Sequence, residues 1–347
     1  MTHEPAADHL ARPSSNVTGR RPEGAPGRRS DAVVYQVCVP SFADGDGDGT
    51  GDLRGLRARL PHLARLGVDA LRLTSCHTSA GAGRPGPTPS AAHPADTGEL
   101  VRAAHRLGIL VLAGPGGDPD FDAGPLDCPW EAEALRGTVE KSLTAAAEAG
   151  TSATWVLSHH DAPRHRTRAG SLRRARAAAL LLLGLPGSAH LYQGEELGLP
   201  ETAGPPGAPR DPCRSPMPWS GRHPGNAGGP GPTPRAADRG RGGDGDRDGL
   251  TVAAQTGDPH STLELYRAAL ELRRALPGLG AGDGPEWLPA PEGVLAFARP
   301  GFVCTASTRD APVEMPVPGR PVLSSAPVDP AGRSVLIPGG SCTWWAI

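Results

Sequence analysis

The chain is poor in aromatic residues and has little excess charge of either sign. Aromatics make up 4% and hydrophobic residues 37% of its 347 residues, and the formal net charge is -2 at pH 7. This charge gives no reason to expect a nucleic-acid or anionic-membrane partner. No apolar run reaches the roughly 18 residues of a membrane span, and the N-terminus lacks the pattern of a signal peptide. We therefore expect a soluble, cytoplasmic protein without membrane contacts.

The cysteine pattern argues against a zinc site. The chain has six cysteines, and no two of them form a Cys-x-x-Cys pair. In a cytoplasmic protein, scattered cysteines predict free thiols rather than disulfides or a metal centre. The six are Cys38, Cys76, Cys128, Cys213, Cys304 and Cys342.

Glycine and proline, by contrast, are abundant. The chain has 48 Gly and 40 Pro, a share of about a quarter that approaches the level of aperiodic low complexity. Their excess is concentrated in stretches without apolar periodicity, which we interpret as tails and linkers. These stretches are residues 1–30, 78–98, 114–125 and 200–249. The remaining length is still sufficient for a sizeable core and for two or three domains.

An acidic loop near the N-terminus carries the most specific chemistry of the chain. Residues 44–52 read Asp-Gly-Asp-Gly-Asp-Gly-Thr-Gly-Asp. Calcium prefers six to eight oxygen ligands, and EF-hand loops supply them from alternate positions, with a glycine at the sixth. We predict that calcium is the cofactor and that its ligands are Asp44, Asp46, Asp48, Thr50 and Asp52. Because Gly55 replaces the final EF-hand glutamate and a strand pattern precedes the loop, this is a calcium loop between a strand and a helix. The alternative is an acidic turn that binds no ion.

Short apolar runs alternate with helical patterns over the first three quarters of the chain, which is typical of a parallel sheet. The predicted strands are 33–39, 68–73, 109–113, 154–158 and 188–192. The predicted helices, with apolar residues at three and four spacing, are 53–66, 99–107, 130–149, 172–183 and 263–276. Arg273 and Arg274 fall on the last helix, where we expect a solvated face. After residue 277, short strands at 294–299, 302–306, 321–323, 334–337 and 343–347 indicate a small antiparallel β domain.

Several segments resemble one known family, and they occur in that family's order. These segments are VVYQVCVPSFAD at 33–44, LGVDALRL at 66–73, WVLSHHD at 155–161, LPGSAHLYQGEELG at 185–198 and RDPCRSPMPW at 210–219. They are similar to the alpha-glucosidases of the alpha-amylase superfamily, glycoside hydrolase family 13. The first two segments match the first two barrel strands of the family, and the next two match its seventh and eighth strands.

The resemblance implies an α/β fold of the (β/α)8 TIM-barrel type, incomplete in this chain, with a C-terminal antiparallel β domain. The composition indicates a disordered tail at 1–30, and the resemblance implies a truncated barrel domain at 31–276 and the β domain at 277–347. An alpha-glucoside or oligosaccharide is the implied substrate. Asp161 matches the carboxylate that stabilises the transition state, and His160 matches a sugar-binding histidine. Arg214 lies in a substrate-side loop of the family.

The chain departs from the family where the fourth and fifth strands should be. Ile109–Ala113 matches the third strand, and residues 120–122 are a remnant of the sixth at best. In the family, the missing strands carry the aspartate nucleophile and the glutamate acid/base, and the intervening segment here contains no such pattern. A closed barrel needs eight strands. With five or six, the sheet keeps open edges that favour self-association.

Two interpretations follow for the function. The first is a glycoside hydrolase homologue that acts on or binds alpha-glucosides and is impaired because two of three catalytic carboxylates are missing. The second is a non-catalytic carbohydrate-binding or oligomerising pseudoenzyme. Glu195 and Glu196 follow the last barrel strand, but the matching motif is structural in the family. Among the tryptophans, Trp219 is the candidate for stacking on a sugar.

Overall fold

The computed structural model describes residues 31–74, 94–112, 128–160, 162–201, 216–220, 249–276, 279 and 284–347. The first five strands are β1 (Val33–Cys38), β2 (Ala70–Thr74), β3 (Leu110–Leu112), β4 (Thr154–Val156) and β5 (Ser188–Tyr192). The helices of the described residues are α1 (Leu53–Leu66), α2 (Pro94–Arg106), α3 (Ala132–Glu148), α4 (His165–Arg168), α5 (Leu172–Leu183), α6 (Val252–Gln255) and α7 (Thr262–Ala275).

The first five strands form one parallel sheet in the order β3-β2-β1-β5-β4. The central strand β1 pairs with β2 on one side and β5 on the other, so that Gln36 lies between Arg72 and Tyr192. This arrangement confirms the predicted α/β fold with a parallel sheet that is truncated relative to a full barrel. The bounds of β1, β5, α1 and α5 differ from the predicted ones by no more than one residue.

The side chains of each strand alternate between two faces of the sheet. One face packs against helices: Tyr35, Leu71 and Leu191 share a hydrophobic core with Leu63 of α1 and Leu180 of α5. Residues of the opposite face include Gln36 of β1, Arg72 of β2 and His190 of β5, which follow from the parallel register. The polar residues of the sheet are therefore separated from the helix-packed core.

Helix α1 connects the acidic loop to this core. Asp52 caps its N-terminus by accepting a hydrogen bond from the Gly55 amide, and Gly67 ends it in a left-handed conformation with φ 96°, which glycine adopts at little cost. Leu56, Leu60 and Leu63 recur at three and four spacing and are buried. The position of the loop relative to the sheet is thus fixed at both ends, by β1 and by α1.

The remaining strands all follow residue 284 and are antiparallel. They are β6 (Glu286–Trp287), β7 (Val294–Arg299), β8 (Phe302–Ser307), β9 (Val313–Pro316), β10 (Arg320–Ser324), β11 (Pro330–Ala331), β12 (Ser334–Ile337) and β13 (Cys342–Ala346). They form two sheets, β10-β13-β8-β7-β6 and β11-β12-β9. Trp344 of β13 is fully buried, and its ring nitrogen donates a 3.1 Å hydrogen bond to the carbonyl of Leu180. This contact joins the C-terminal sheets to α5.

Two stretches that we expected to be linkers take part in the fold. Helix α2 begins at Pro94, inside the stretch 78–98. Residues 216–220, inside the stretch 200–249, place Met217 and Trp219 in the hydrophobic core. Residues 216–220 are too few to show a periodic pattern, and α2 begins five residues before the predicted helix 99–107. The tail 1–30 and the doubtful strand at 120–122 lie outside the described residues.

Two further expectations are wrong. Cys38 is disulfide-bonded, whereas Cys128, Cys304 and Cys342 are free thiols as expected. Scattered cysteines leave no spacing pattern that would reveal a disulfide. Arg273 is not on a solvated face but is 3% exposed.

Among the helices that the structure describes, we find none long and apolar enough to cross a membrane.

Candidate functional site

Polar residues gather where β1, β4 and β5 end. The three strands are neighbours and parallel, so their carboxyl ends lie at the same edge of the sheet, the edge at which parallel α/β sheets usually bind ligands. Gln36 lies in β1, His160 follows β4 and Gln193 follows β5 directly. This edge is the candidate functional site.

His160 contacts β1 at this edge. Its Nδ1 atom lies 3.1 Å from Nε2 of Gln36, within hydrogen-bond distance. Gln36 is 2% exposed, whereas His160 is partly exposed. The neighbouring ring of His159 meets that of His160 edge-on, with centroids 5.7 Å apart. The buried amide therefore holds the orientation of an imidazole that is partly open to solvent.

Gln193 ties the ends of β1 and β5 together. Its amide nitrogen donates to the Gln36 carbonyl at 3.0 Å. Its side-chain oxygen accepts a 2.8 Å hydrogen bond from the Cys38 amide, and its side-chain nitrogen donates to Ser41 Oγ at 2.8 Å. All of these hydrogen bonds are buried, where they stabilise one arrangement of the polar groups. Gln193 is thus a positioning residue for the strand that carries Gln36.

Arg164 packs behind the same edge. Its guanidinium donates a 2.7 Å hydrogen bond to the Gln193 carbonyl and lies 5.1 Å from the centre of the Tyr192 ring. Next to it, His165 is fully enclosed and exchanges a 3.1 Å hydrogen bond with Ser158. Burial, with the positive charges of Arg168 and Arg164, lowers the pKa of His165 to about 3. His165 is therefore neutral near pH 7, so the positive charge of this segment comes from its arginines, including Arg164 and Arg168.

Glu195 and Glu196 are enclosed in the core and are not part of the partly exposed edge at His160. Glu195 accepts a 3.0 Å hydrogen bond from the Tyr266 hydroxyl, and Glu196 accepts a 2.8 Å hydrogen bond from the Tyr35 hydroxyl. The two side chains are 2% and 0% exposed. Burial raises the pKa of Glu195 to about 8, although the hydrogen bond from Tyr266 acts in the opposite direction. Both carboxyl groups are structural, as the family motif implies.

A small cavity adjoins Glu195, and its size shows that the region around this side chain is tightly packed. Its volume is about 10 Å³, which is near the lower limit for a single water molecule. The cavity lies between Trp155 of β4 and Tyr266 of α7, with Glu195 at its wall. A sugar ring does not fit there, so the partly exposed edge at His160 remains the candidate binding surface.

The structure places the other predicted site residues as follows. Asp161 and Arg214 lie outside the described residues. Trp219 is 5% exposed, and its ring contacts Phe42 and His62 edge-on, while the Arg59 guanidinium lies 4.4 Å from its centre. Because these neighbours enclose its ring, Trp219 packs in the core and does not form a sugar-stacking platform.

The acidic loop brings three of its predicted ligands together. Carboxylate oxygens of Asp44, Asp46 and Asp48 lie within 4.8 Å of one another. Gly47 and Gly49, between and after them, adopt φ angles of 87° and 90°, which side chains rarely tolerate. These glycines let the loop turn tightly enough for the three acids to converge. Hard oxygen donors at this separation fit a calcium ion.

The loop is already organised by its own hydrogen bonds. Asp44 accepts hydrogen bonds from the amides of Asp46, Gly47 and Gly49 at 3.1, 2.6 and 2.9 Å. Burial acts to raise the pKa of Asp44, but these amides outweigh it and lower the pKa below the ordinary value. Asp44 therefore carries its negative charge at neutral pH.

The last two predicted ligands have different surroundings. Asp52 accepts hydrogen bonds from the amides of Gly55 at 2.6 Å and Gly45 at 3.2 Å. It therefore caps α1, and it is not part of the three-acid cluster. The Thr50 amide donates a 2.7 Å hydrogen bond to Asp48 Oδ1, so this residue supports the cluster through its backbone.

Sequence reasoning missed Gln36, Gln193 and Ser41. Gln36 interrupts an otherwise apolar strand, and a lone polar residue in a buried strand is the signal that could have marked it. Gln193 lies inside the quoted family segment, but its partners Cys38 and Ser41 are more than 150 positions away in the chain. Long-range contacts of this kind leave no local pattern.

Comparison with known proteins gives the family context. The alpha-amylase catalytic-domain family matches residues 123–282. A probable alpha-glucosidase of Rhizobium meliloti (strain 1021) is 40% identical over 88 residues, which are 23% of this chain and 16% of that protein. An oligo-1,6-glucosidase of Parageobacillus thermoglucosidasius is 49% identical over 49 residues, 14% of this chain and 9% of that protein.

Solved structures extend the likeness of the fold. An alpha-glucosyl transfer enzyme, XgtA, superposes with a TM-score of 0.71 at 19% identity, covering 91% of this chain and 98% of that chain. An alpha-amylase from H. orenii gives a TM-score of 0.63 at 18% identity, covering 91% and 99%. In sequence, this chain matches 16% or less of the length of these curated relatives, so their activities do not transfer directly.

Proposed function

Because this chain matches the alpha-amylase catalytic-domain family over residues 123–282 and resembles alpha-glucosidases in sequence, we propose that it binds alpha-glucosides at the carboxyl edge of its parallel sheet but is impaired in their hydrolysis. The strand order β3-β2-β1-β5-β4 carries this proposal. By the resemblance, these are the third, second, first, eighth and seventh strands of the family. The strands that hold its nucleophile and acid/base have no counterpart among the described residues.

The chemistry of the family explains the expected impairment. A retaining glycosidase needs two carboxyl groups about 5–5.5 Å apart, one to attack the anomeric carbon and one to protonate the leaving oxygen. Glu195 and Glu196 are held by Tyr266 and Tyr35 inside the core, and relocating them would break buried hydrogen bonds. A covalent glycosyl intermediate requires an attacking carboxylate, and neither of these two buried glutamates is placed to supply it.

Binding requires fewer groups than hydrolysis. His160 is partly exposed at the sheet edge and oriented by Gln36, so its ring can exchange hydrogen bonds with sugar hydroxyls. Asp161, the next residue, matches the family's third carboxylate by the resemblance alone. A histidine and a carboxylate at this edge would select a polyhydroxyl ligand without reacting with it.

We also propose that the acidic loop binds calcium. Asp44, Asp46 and Asp48 would hold the ion, since their oxygens already converge. A bound divalent cation supplies positive charge that offsets the repulsion between the three carboxylates. The loop joins β1 to α1, so Asp44 and Asp52, which caps α1, keep the strand and the helix in a fixed relative position. Its role is structural rather than catalytic.

The second candidate function is a non-catalytic pseudoenzyme that self-associates. Among the described residues, β3 pairs only with β2 and forms one edge of the sheet. Leu107, Leu110 and Leu112 are 44%, 48% and 43% exposed around it. Exposed leucines on an unpaired strand edge favour association with a second copy of the chain.

One experiment separates binding from hydrolysis. Glucose release from maltose and from a chromogenic alpha-glucoside is measured with calcium, and maltose binding is measured by calorimetry on the same preparation. We expect binding without turnover, and weaker binding for His160→Ala and Asp161→Ala. His105→Ala, on the exposed surface of α2, is the matched control. Turnover that disappears in Asp161→Ala would contradict impairment, whereas folded protein without maltose binding would contradict the binding site.

A further inference from the structure

Cys304 and Cys342 meet across two neighbouring strands of the C-terminal domain. The antiparallel register pairs Cys304 with Trp344 and Ala306 with Cys342, so the cysteines are diagonal neighbours on one face of the sheet. Their sulfur atoms lie 3.4 Å apart. Both are free thiols, and neither has any exposed surface.

A short movement separates this pair from a covalent bond. A disulfide places its sulfurs about 2.05 Å apart, so the two Sγ atoms must approach by roughly 1.4 Å. Diagonal neighbours in a sheet average about 7–8 Å between backbones, above the Cα separation of about 4.4–6.8 Å that most disulfides span. The sulfur contact shows, however, that these two side chains already point towards each other. Bond formation therefore combines side-chain rotation with a small shift of the two strands.

The backbone on both sides of the pair is held in place. Cys342 exchanges two hydrogen bonds with Ser325, its amide donating to the Ser325 hydroxyl at 2.9 Å and its carbonyl accepting from the Ser325 amide at 2.9 Å. Cys304 lies in β8, between β7 and β13. The fold therefore keeps the two thiols together and removes the entropic cost of joining them in a flexible chain.

We propose that Cys304 and Cys342 are a redox modification site, at which hydrogen peroxide converts the two thiols into an intramolecular disulfide. The pair lies in a different sheet from the candidate sugar site. This inference is therefore independent of the proposed carbohydrate function.

The reaction balances with one peroxide for each disulfide. One cysteine, as thiolate, attacks a peroxide oxygen; the O–O bond breaks, and the leaving hydroxide takes up a proton to become water. The resulting sulfenic acid is attacked by the second sulfur, which forms the S–S bond and releases a second water. The two sulfurs together lose two electrons, which reduce the peroxide.

Oxidation is expected to be slow but stabilising. Burial, together with the hydrogen bond to Cys342, raises the pKa of the Cys304 thiol, so little of the reactive thiolate is present. Once formed, the bond closes a loop that contains β9 to β12 and restricts the unfolded chain. The oxidised protein should therefore melt at a higher temperature than the reduced one.

Peptide mapping tests the pair on the full chain. Native protein is treated with hydrogen peroxide, denatured in the presence of an alkylating reagent and digested without reductant. We expect Cys304 and Cys342 in one cross-linked peptide pair that separates on reduction. Two alkylated peptides, two singly oxidised cysteines or a bond to any other cysteine would overturn the proposal. This mapping requires no variant, so a failure of a substitution to fold does not affect it.

Variants then connect the bond to stability. Peroxide should raise the melting temperature of the wild-type protein and of Cys128→Ser, whose cysteine is a free thiol outside the pair. It should leave Cys342→Ala unchanged. A wild-type protein that contains the cross-link but does not melt higher would refute the stabilising role, and an equal rise in Cys342→Ala would assign the effect to another group.

Discussion

The hydroxyl of Tyr266 donates a 3.0 Å hydrogen bond to Oε1 of Glu195, and both side chains are enclosed in the core. Tyr266 belongs to α7 and Glu195 follows β5, so this single contact connects α7 to the parallel sheet. It also makes an ionisable carboxyl group part of the core, with consequences for stability.

The buried Glu195 predicts that stability falls as the pH rises. Its pKa is raised from 4.5 to about 8 in the folded chain, so the folded state holds a proton that the unfolded state releases over this interval. The free energy of unfolding should therefore decrease between pH 4.5 and 8 and level off above. The decrease amounts to about 1.4 kcal/mol for each pH unit of this interval. Urea denaturation should show a much smaller decrease for Glu195→Gln, with exposed Glu148→Gln behaving like the wild type.

His165 predicts a loss of stability in acid. Its pKa is lowered from 6.5 to about 3, so the unfolded state binds a proton that the folded state excludes. Stability should decline as the pH falls from 6.5 towards 3. His165→Gln should reduce this acid sensitivity in chemical denaturation, whereas His105→Gln, at an exposed position, should not. Parallel curves for all three proteins would disprove the assignment.

Calcium should raise the melting temperature if the acidic loop binds it. A ligand that binds only the folded state stabilises it by mass action, by about 2.7 kcal/mol at 100 times its dissociation constant. Asp46→Asn and Asp48→Asn should each weaken the shift, since both carboxylates belong to the three-acid cluster. Exposed Asp329→Asn serves as the control. A melting temperature that is insensitive to calcium would rule out the site.

The edge strand β3 predicts a concentration-dependent assembly. Leu110→Lys places a charge on this edge and should prevent association that sedimentation detects in the wild-type chain. Leu336→Lys is a matched control, because Leu336 is 59% exposed on a different sheet and Leu110 is 48% exposed. If the two variants associate equally, β3 is not the interface and the prediction is wrong.

We expect substitutions of Arg273 and of its neighbour Arg274 to differ greatly in their effect on stability. Its guanidinium donates to the carbonyls of Leu183 and Leu185 at 2.6 and 2.9 Å and also to Gly187. The ammonium group of a lysine cannot reproduce this set of hydrogen bonds, because it lacks the planar, forked arrangement of donors in the guanidinium group. Arg273→Lys should therefore lower the free energy of unfolding by about 3 kcal/mol or more. Arg274→Lys, at a half-exposed position, should have little effect in the same urea titration.

The sequence was most informative where local rules decide the structure. Leucines at helical spacing were sufficient to place α1, and the apolar run of β1 predicted a strand. The glycine spacing of the acidic loop predicted the convergence of Asp44, Asp46 and Asp48, which the structure shows.

Long-range contacts account for what could not be predicted. The burial of Arg273 depends on carbonyls about 90 positions earlier in the chain, and no local pattern around Cys38 marks its disulfide. Trp219 looked available for a sugar because its Gly/Pro-rich surroundings gave no sign of Phe42 and His62. Predictions from a single sequence use local periodicity, and local periodicity does not reveal contacts of this kind.

Among the described residues, the order β3-β2-β1-β5-β4 explains how a chain with part of a barrel fold keeps an ordered sheet. In a closed ring of parallel strands, the loss of one contiguous block opens the ring at a single place. Every surviving strand then keeps the neighbours it had, except the two that border the gap, here β3 and β4. The number of new edges is two whether one strand is lost or three, so the damage to backbone pairing does not grow with the size of the loss.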